Sequence, residues 1–143
     1  MTKTKVLFVC SHNAARSQMA EALLNKLGGE KFEAESAGLE PGTLNPFVVH
    51  VLKEEGIDIS QNKPKDVFEF YKQGKHFDYV ITVCDLSHEK CPFFPSQKGR
   101  MRWSFKDPST FSGTLDEITA QVRTVKDEIK KEITEFIDVI QVD

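Results

Sequence analysis

The chain has 143 residues, of which 39% are hydrophobic and 29% are charged, and this balance predicts a single globular domain over residues 1–143. Its formal net charge of −3 excludes a general electrostatic attraction to nucleic acid. No apolar stretch approaches the roughly 20 residues of a membrane span, and the N-terminus has no hydrophobic export signal. We therefore expect a cytoplasmic protein that binds neither nucleic acid nor membranes.

The hydrophobic pattern along the chain switches between the period of a strand and the period of a helix. Gly28-Gly29 closes the first predicted helix, and Asn45-Pro46 opens the second with a capping side chain and a proline at the first helical position. Strands are predicted over residues 4–9, 32–36, 79–83 and 101–105, and helices over residues 17–27, 46–56 and 65–71.

The last helix has the clearest pattern in the chain, because apolar residues recur there at spacings of three and four with charges between them. These residues are Leu115, Ile118, Val122, Val125, Ile129, Ile133 and Phe136. The stripe predicts that this helix packs one face on the sheet. Alternating strands and helices predict an α/β fold, a three-layer domain in which helices flank a four-stranded parallel sheet. No apolar stripe is left over for a partner subunit, so we expect a monomer.

Cys10 ends the first predicted strand and opens a tight loop that leads directly into the first helix. Such a loop directs backbone N–H groups and the positive end of a helix at one sulfur, which favours a thiolate and binds a tetrahedral oxyanion. Arg16 can present a planar fork to two oxygens of that anion. The predicted oxyanion-binding residues are Ser11, His12, Asn13, Ala14, Ala15 and Arg16.

Two further side chains belong to this predicted site. Ser17 either donates its hydroxyl to the sulfur of Cys10 or caps the first helix, and one role does not exclude the other. Asp107 precedes Pro108 just after the predicted fourth strand, where it is either a general acid that protonates a leaving oxygen or the start of a turn. Ligands bind beyond the carboxyl ends of parallel strands, so we expect Cys10, Cys84 and Asp107 at one edge of the sheet.

Three cysteines cannot all form disulfides within one chain, and in a reducing compartment they more often carry redox chemistry or bind metal. Six residues separate Cys84 from Cys91. A short loop of this kind permits disulfide exchange of Cys84 with Cys91 and, across the sheet edge, with Cys10. The pattern predicts a relay from Cys10 to Cys84 to Cys91. There are two alternatives. One is a zinc site formed by Cys84, His88 and Cys91, and the other is that Cys84 and Cys91 are incidental cysteines.

Taken together, the Cys-x5-Arg-Ser motif at Cys10, the dipeptide Asp107-Pro108 and the Cys84-x6-Cys91 pair resemble the thioredoxin-coupled arsenate reductases. Those enzymes share the fold of the low-molecular-weight protein tyrosine phosphatases. The resemblance covers nearly the whole chain. The loop motif alone indicates only a phosphatase-like protein, and the added cysteine pair makes the resemblance specific.

The resemblance implies a mechanism for arsenic detoxification. Cys10 attacks arsenate held by the loop amides and Arg16, while Asp107 protonates the departing oxygen. Cys84 then attacks the sulfur of Cys10, arsenite leaves, and Cys91 attacks Cys84 in turn. Thioredoxin is the implied reductant of the resulting disulfide, with a glutathione–glutaredoxin system as the other donor.

The loop departs from the common family pattern at His12 and Ala15, where many members have Gly and Cys. The tyrosine that follows Asp-Pro in typical tyrosine phosphatases is also absent. A phosphatase that uses Cys10, Arg16 and Asp107 is the alternative function, and the same cradle also permits residual phosphatase activity in a reductase. The third hypothesis is a sensor without catalytic activity that binds zinc or an oxyanion.

Some members of that family bind potassium beside the loop, and no other cofactor is implied. The matching residues here are the oxygen donors Asn13, Glu21, Ser36 and Asp66, which suit a hard cation. Their alternative roles are polar capping and surface solvation. The nearby basic residues are spread among acids and are predicted to form a solvated face; they are Lys63, Lys65, Lys72 and Lys75.

Overall fold

A computed structural model describes residues 3–84 and 93–140. Its centre is a parallel sheet of four strands in the order β2-β1-β3-β4. The strands are β1 (Thr4–Cys10), β2 (Phe32–Gly38), β3 (Tyr79–Thr82) and β4 (Gly99–Arg102). The helices are α1 (Arg16–Leu27), α2 (Pro46–Glu54), α3 (Val67–Lys72) and α4 (Leu115–Ile140), with short 3₁₀ turns at Gly29–Lys31 and Pro108–Thr110. The predicted α/β fold with a parallel sheet flanked by helices is confirmed.

Strand β1 lies in the middle of the sheet and is buried on both faces. Its side chains alternate between two cores, with Val6 and Phe8 on one side and Leu7 and Val9 on the other. This period of two explains the continuous apolar run in the sequence, because a parallel strand covered on both faces needs apolar side chains at every position. The register pairs Cys10 with the last residue of β2.

Helices cover both faces of the sheet. The larger core joins α1, α2 and α4, and Leu24, Leu52 and Ile129 are fully buried in it. The second core lies under α3, where Phe70 and Phe77 pack with their ring centroids 6.3 Å apart. Across residues 3–84 and 93–140, no helix is both long enough and apolar enough to cross a membrane.

The helix boundaries follow the capping signals in the sequence. The Asn45 side chain accepts a hydrogen bond of 2.9 Å from the backbone N–H of Phe47, as expected of an N-cap. Helix α2 ends at Glu54, and Gly56 then adopts a φ of +79°. Such a left-handed residue ends a helix, and glycine adopts it without strain. The predicted helix at residues 65–71 exists as α3, but it begins at Val67 because Asp66 caps it.

Helix α4 is tied to the end of α2 by charges. Glu55 accepts from Lys130 at 2.7 Å and from Lys126 at 3.0 Å, and Lys126 also contacts Asp127 at 2.6 Å. The hydrogen bonds from Lys130 and Lys126 lower the pKa of the Glu55 carboxyl to about 2. Burial opposes the charge on Lys126, but its hydrogen bonds to the two carboxylates raise its pKa nonetheless.

Two expectations about the elements are wrong. The fourth strand covers Gly99–Arg102 instead of residues 101–105, so Asp107 comes five residues after the strand instead of two. This edge strand has no apolar run, because its burial alternates between partly buried and exposed positions. In α4, Leu115 is 73% exposed although it continues the apolar stripe, because it is the first residue of the helix.

Candidate active site

The loop after β1 is shaped by the segment that follows β2. Backbone N–H groups from residues 39, 40, 42 and 45 donate to the carbonyl oxygens of residues 10, 11, 12 and 14 in turn. The distances between donor and acceptor run from 2.8 to 3.2 Å. Because these carbonyls point outward, the intervening amides can face the inside of the loop, which is the arrangement of an anion-binding nest.

The inside of the loop is centred on the sulfur of Cys10, which is a free cysteine with 2% of its surface exposed. The backbone N–H of Asn13 donates to this sulfur at 3.2 Å. Asn13 is fully buried with a φ of 53°, a left-handed conformation that asparagine tolerates better than most residues. The structure thus places a backbone donor on the predicted nucleophile.

Ser17 lies 2.9 Å from the sulfur of Cys10, measured from its hydroxyl oxygen. The same oxygen accepts from the side-chain amide of Asn13 at 2.7 Å, so its own hydrogen is available to the sulfur. The Asn13 orientation is fixed because the backbone N–H of Lys65, which can only donate, contacts its side-chain oxygen at 2.8 Å. The helix cap is Ala15, without a capping side chain, so Ser17 serves the sulfur and does not cap α1.

Arg16 is the first residue of α1 and is 3% exposed. Its guanidinium donates to the carbonyl oxygen of Phe105 at 3.2 Å and lies 3.7 Å from the carboxylate of Asp107. The other carboxylate oxygen of Asp107 accepts from the backbone N–H of Ser109 at 2.9 Å and begins a 3₁₀ turn. Asp107 therefore starts a turn and also faces the arginine of the loop.

Cys10, Arg16 and Asp107 line one cavity of about 290 Å³. Two of the loop alanines, Ala14 and Ala15, also line it. The remaining walls are mainly apolar and include Leu44, Pro46, Phe47, Pro108, Phe111 and Ile118. The cavity therefore joins a nucleophile, a cation and a carboxylate within mainly apolar walls.

The other residues of the predicted loop differ in exposure. His12 is exposed, and its Nδ1 lies 2.9 Å from the carbonyl oxygen of Glu40, while the residue also borders the cavity. Ser11 is partly buried, and its carbonyl oxygen accepts from the backbone of Glu40. Within residues 10–17, the structure places the side chain of Ser17 and the backbone of Asn13 at the sulfur of Cys10.

Cys84 follows β3 at the same edge of the sheet as Cys10. Its sulfur is fully buried and lies 3.9 Å from the carbonyl oxygen of Val9, the residue before Cys10. Cys84 is disulfide-bonded, whereas Cys10 is free, so the disulfide does not involve Cys10. His88 and Cys91 lie outside the described residues, and the relay and zinc alternatives that depend on them stay predictions.

The four residues predicted to hold potassium make hydrogen bonds or ion pairs within the chain, and the potassium site stays a prediction. The Glu21 carboxylate accepts from Ser36 at 2.8 Å and from the ammonium of Lys65 at 2.9 Å through the same oxygen. The side-chain oxygen of Asn13 accepts from two donors. Asp66 caps α3 through the backbone N–H at position 68. In the part of the chain that the structure describes, no group of three or more His, Cys, Asp or Glu side chains could hold a metal ion.

Comparison with known proteins shows the family of this chain. The family described as low molecular weight phosphotyrosine protein phosphatase matches residues 5–142. Arsenate reductase from Halalkalibacterium halodurans is 39% identical over 96% of this chain and 98% of its own length. Arsenate reductase from Bacillus subtilis is 38% identical over 93% of this chain and 94% of its own length. The chain belongs to the arsenate reductases of the low molecular weight phosphotyrosine protein phosphatase family.

Solved structures similar to this chain also include arsenate reductases. Arsenate reductase from Archaeoglobus fulgidus superposes with a TM-score of 0.76 at 34% identity and covers 93% of this chain and 98% of its own. A thioredoxin-dependent arsenate reductase from Corynebacterium glutamicum gives a TM-score of 0.71 at 31% identity over 99% of this chain and 63% of its own. A low molecular weight protein tyrosine phosphatase from T. tengcongensis gives 0.71 at 26% identity over 95% of this chain and 99% of its own.

Sequence reasoning missed two side chains that hold the loop of this family member. Gln18 is fully buried and donates to the side-chain oxygen of Asn13 at 3.1 Å, and the sequence shows only a glutamine two residues after the loop arginine. Lys65 was predicted to be solvated, but only 34% of its side chain is exposed and it pairs with Glu21. Lys75 is likewise 33% exposed and pairs with Glu35, so the solvated-face prediction is wrong for both lysines.

Proposed function

We propose that this protein reduces arsenate to arsenite through thiol–disulfide exchange among Cys10, Cys84 and Cys91, in arsenic detoxification. One observation supports this proposal above the others. A free cysteine in an oxyanion loop lies at the end of β1, and a disulfide-bonded cysteine follows the neighbouring strand at the same edge. A phosphatase needs the first cysteine only, whereas a reductase needs a second sulfur within reach of the first.

The first step is attack of the Cys10 thiolate on arsenic. The hydroxyl of Ser17 and the backbone N–H of Asn13 stabilise negative charge on the sulfur before attack. Arg16 and the inner amides hold the arsenate oxygens. A sulfur–arsenic(V) bond forms, and one oxygen leaves as water after it takes a proton from Asp107.

The second step transfers two electrons to arsenic. The thiolate of Cys84 attacks the sulfur of Cys10, and the electron pair of the sulfur–arsenic bond stays on arsenic. Arsenic(V) becomes arsenic(III) and leaves as arsenite, while a disulfide forms between Cys10 and Cys84. The two thiols are oxidised by two electrons, which balances the reduction of arsenic. Phosphate has the shape of arsenate but does not accept these electrons, so this step provides the discrimination between them.

The third step regenerates the nucleophile. Cys91 attacks the sulfur of Cys84, the thiolate of Cys10 leaves, and a disulfide between Cys84 and Cys91 remains. We propose thioredoxin as the reductant of that disulfide, since a similar structure is a thioredoxin-dependent arsenate reductase. Glutathione with glutaredoxin is the other donor. A relay of this kind needs a reducing compartment, so we propose that the protein acts in the cytoplasm, as a monomer.

The test is oxidation of NADPH by the reduced protein in the presence of arsenate, thioredoxin and thioredoxin reductase. We expect oxidation that depends on arsenate and that is lost in each of the variants Cys10→Ser, Cys84→Ser and Cys91→Ser. The variant Lys72→Ala is the control, because that side chain is 75% exposed and lies away from the cavity. Its rate should equal that of the unmodified protein.

The remaining outcomes separate the alternatives. Turnover only with glutathione and glutaredoxin would keep the reductase and change its electron donor. If neither donor supports turnover while aryl phosphate is hydrolysed, the reductase proposal is wrong and the protein is a phosphatase. Stoichiometric zinc in protein purified without added metal, together with no turnover of either substrate, would favour a sensor.

Hydrolysis of aryl phosphates is the second candidate function. The observation that favours it is the apolar wall of the cavity, where Phe47 and Phe111 can contact an aromatic ring beside a bound phosphate. Attack by Cys10 on phosphorus, with Asp107 as the proton donor to the leaving oxygen, needs neither Cys84 nor Cys91. We propose that this reaction is a side activity of the same cradle.

A further inference from the structure

A lysine ammonium contacts the carboxylate that was predicted to bind potassium. Lys65 Nζ lies 2.9 Å from Oε1 of Glu21, and the Glu21 side chain is only 13% exposed. The hydroxyl of Ser36 donates to the same oxygen at 2.8 Å. A carboxylate with so little exposure needs a positive partner, because water solvates it poorly. Lys65 supplies that partner from within the chain.

Three of the oxygens near this lysine already have partners and offer little to a second cation. The Ser36 hydroxyl points its hydrogen at Glu21, and Oε1 of Glu21 is already shared between two donors. The side-chain oxygen of Asn13 accepts from the backbone N–H of Lys65 and from Gln18, which occupies both of its lone pairs. A potassium ion would have to displace these donors and lie close to an ammonium of the same sign. The residues present therefore do not fit the ion.

We propose that the Lys65 ammonium takes the place of a monovalent cation in this protein and acts as a positioning residue for the Cys10 loop. The tether has two ends. The ammonium of Lys65 contacts Glu21 on α1, and the backbone N–H of Lys65 donates to the side chain of Asn13. The carbonyl oxygen of Lys65 also accepts from the last residue of β2 at 2.8 Å, which fixes the segment to the sheet.

The tether reaches the sulfur through hydrogen bonds of defined direction. The backbone N–H of Lys65 donates to the side-chain oxygen of Asn13, and the side-chain nitrogen of Asn13 donates to the hydroxyl oxygen of Ser17. The hydroxyl of Ser17 can therefore donate its own hydrogen to the sulfur of Cys10. If the ammonium lost its anchor on Glu21, the segment could move and Asn13 could rotate. The reactivity of Cys10 would then fall even though Lys65 does not contact it.

The chain contains a matched control for this lysine. Lys75 pairs with Glu35 at 3.0 Å, and its side chain is 33% exposed against 34% for Lys65. Glu35 belongs to β2. Among the described residues, no hydrogen bond connects this pair to the Cys10 loop. A substitution of Lys75 therefore removes an ion pair of a lysine with similar exposure, together with its contact 4.8 Å from the Phe70 ring, without the tether.

The first test measures thermal unfolding of the reduced protein in potassium chloride and in choline chloride at equal ionic strength. We expect the same melting temperature in both salts for the unmodified protein and for Lys75→Ala. For Lys65→Ala we expect a melting temperature about 3 °C higher in potassium chloride, because the ion can enter the space that the lysine leaves. Lys65→Arg keeps a positive charge and should show no potassium effect.

The second test measures how fast iodoacetamide alkylates Cys10 at pH 7 in protein that carries Cys84→Ser and Cys91→Ser. In choline chloride, Lys65→Ala should lower this rate about 5-fold, and potassium or Lys65→Arg should restore it. Lys75→Ala should leave the rate unchanged. A lysine with only a structural role would lower the melting temperature without this recoverable change in rate.

Several results would overturn the proposal. Potassium-specific stabilisation of the unmodified protein would show that the site takes the ion despite Lys65. A Lys65→Ala variant that matches Lys75→Ala in both measurements would show that the tether has no effect. If Lys65→Ala does not fold, the salt comparison on the unmodified protein and on Lys65→Arg still decides the matter. Neither measurement uses arsenate, so the outcome is independent of the proposed reduction.

Discussion

Cys10 and Cys84 follow neighbouring strands at the same edge of the sheet, yet their sulfurs have opposite surroundings. The sulfur of Cys10 receives a hydroxyl and a backbone N–H and lies at the N-terminus of α1. The sulfur of Cys84 is disulfide-bonded and lies 3.9 Å from the carbonyl oxygen of Val9. Both are buried, so burial alone does not distinguish them. The comparison shows that hydrogen-bond donors stabilise a thiolate at Cys10, whereas the sulfur of Cys84 is held in a disulfide.

The largest expected effect comes from replacing either cysteine, and the two replacements should differ in their effect on phosphate hydrolysis. Cys10→Ser should lower both arsenate reduction and aryl phosphate hydrolysis at least about 10³-fold, because both reactions begin at this sulfur. Cys84→Ser should lower arsenate reduction as strongly but leave phosphate hydrolysis within about 3-fold. Parallel assays of the two substrates check this. Equal loss of hydrolysis in both variants would mean that Cys84 also contributes to the first step.

A smaller effect is expected from the cation that faces the oxyanion. Arg16→Lys keeps the charge but loses the planar fork, and we expect kcat/KM for arsenate to fall about 10²-fold. Arg123→Lys is the matched control, since Arg123 makes a two-point contact with Glu54 at 3.0 and 2.8 Å and does not line the cavity. Steady-state kinetics on both variants measure the difference. An unchanged Arg16→Lys would contradict the assignment of the oxyanion site.

The donors around Cys10 can be tested without removing the sulfur. In Asn13→Asp the amide donor becomes an acceptor, so the Ser17 hydroxyl should turn toward the new carboxylate and away from the sulfur. We expect alkylation of Cys10 to slow about 10-fold, and Ser17→Ala to slow it by a similar factor. The control is Asn25→Asp, since the Asn25 amide donates and accepts at Ala34 instead of near the sulfur. An Asn13→Asp variant as reactive as this control would refute the hydrogen-bond direction.

The smallest effect on activity is expected from the Glu55 carboxylate, whose ion pairs stabilise the fold. The pKa of Glu55 is lowered to about 2, so its contribution is complete above pH 4.5 and is lost as the pH falls toward 2. Glu55→Gln should lower the free energy of unfolding by about 1–3 kcal/mol at pH 7. It should leave arsenate kinetics unchanged. Urea unfolding at a series of pH values checks this, and a difference that persists at pH 2 would contradict the pKa.

Much of the fold could be predicted because the signals are local. The buried run of β1, the cap at Asn45 and the stripe of α4 each depend on neighbours within a few residues, and the structure confirms them. Strand β4 was misplaced because an edge strand of four residues, half of them arginines, carries no apolar pattern. Its position is set by pairing with β3, and that pairing is not local.

The site shows the same division between local and distant information. The Cys-x5-Arg-Ser motif predicts the oxyanion loop because nucleophile, amides and helix N-terminus are adjacent in the sequence. The pair of Lys65 with Glu21 joins residues 44 positions apart, and nothing near either residue indicates it. The choice between the two roles of Ser17 depended on the orientation of Asn13, which Lys65 fixes in turn. Contacts of this range become visible only in three dimensions.

The close approach of β2 to the loop has a consequence for protein engineering. A Cβ at Gly38 would lie 2.8 Å from the backbone nitrogen of Asn13 and 2.8 Å from the carbonyl carbon of His12, so only glycine allows this contact. Residues 39–45 then bind the outward carbonyls of the loop. The conformation of the eight-residue motif therefore depends on the neighbouring residues 38–45 as much as on its own sequence. Grafted into another scaffold, it would need residues 38–45 as well to keep the shape that binds an oxyanion.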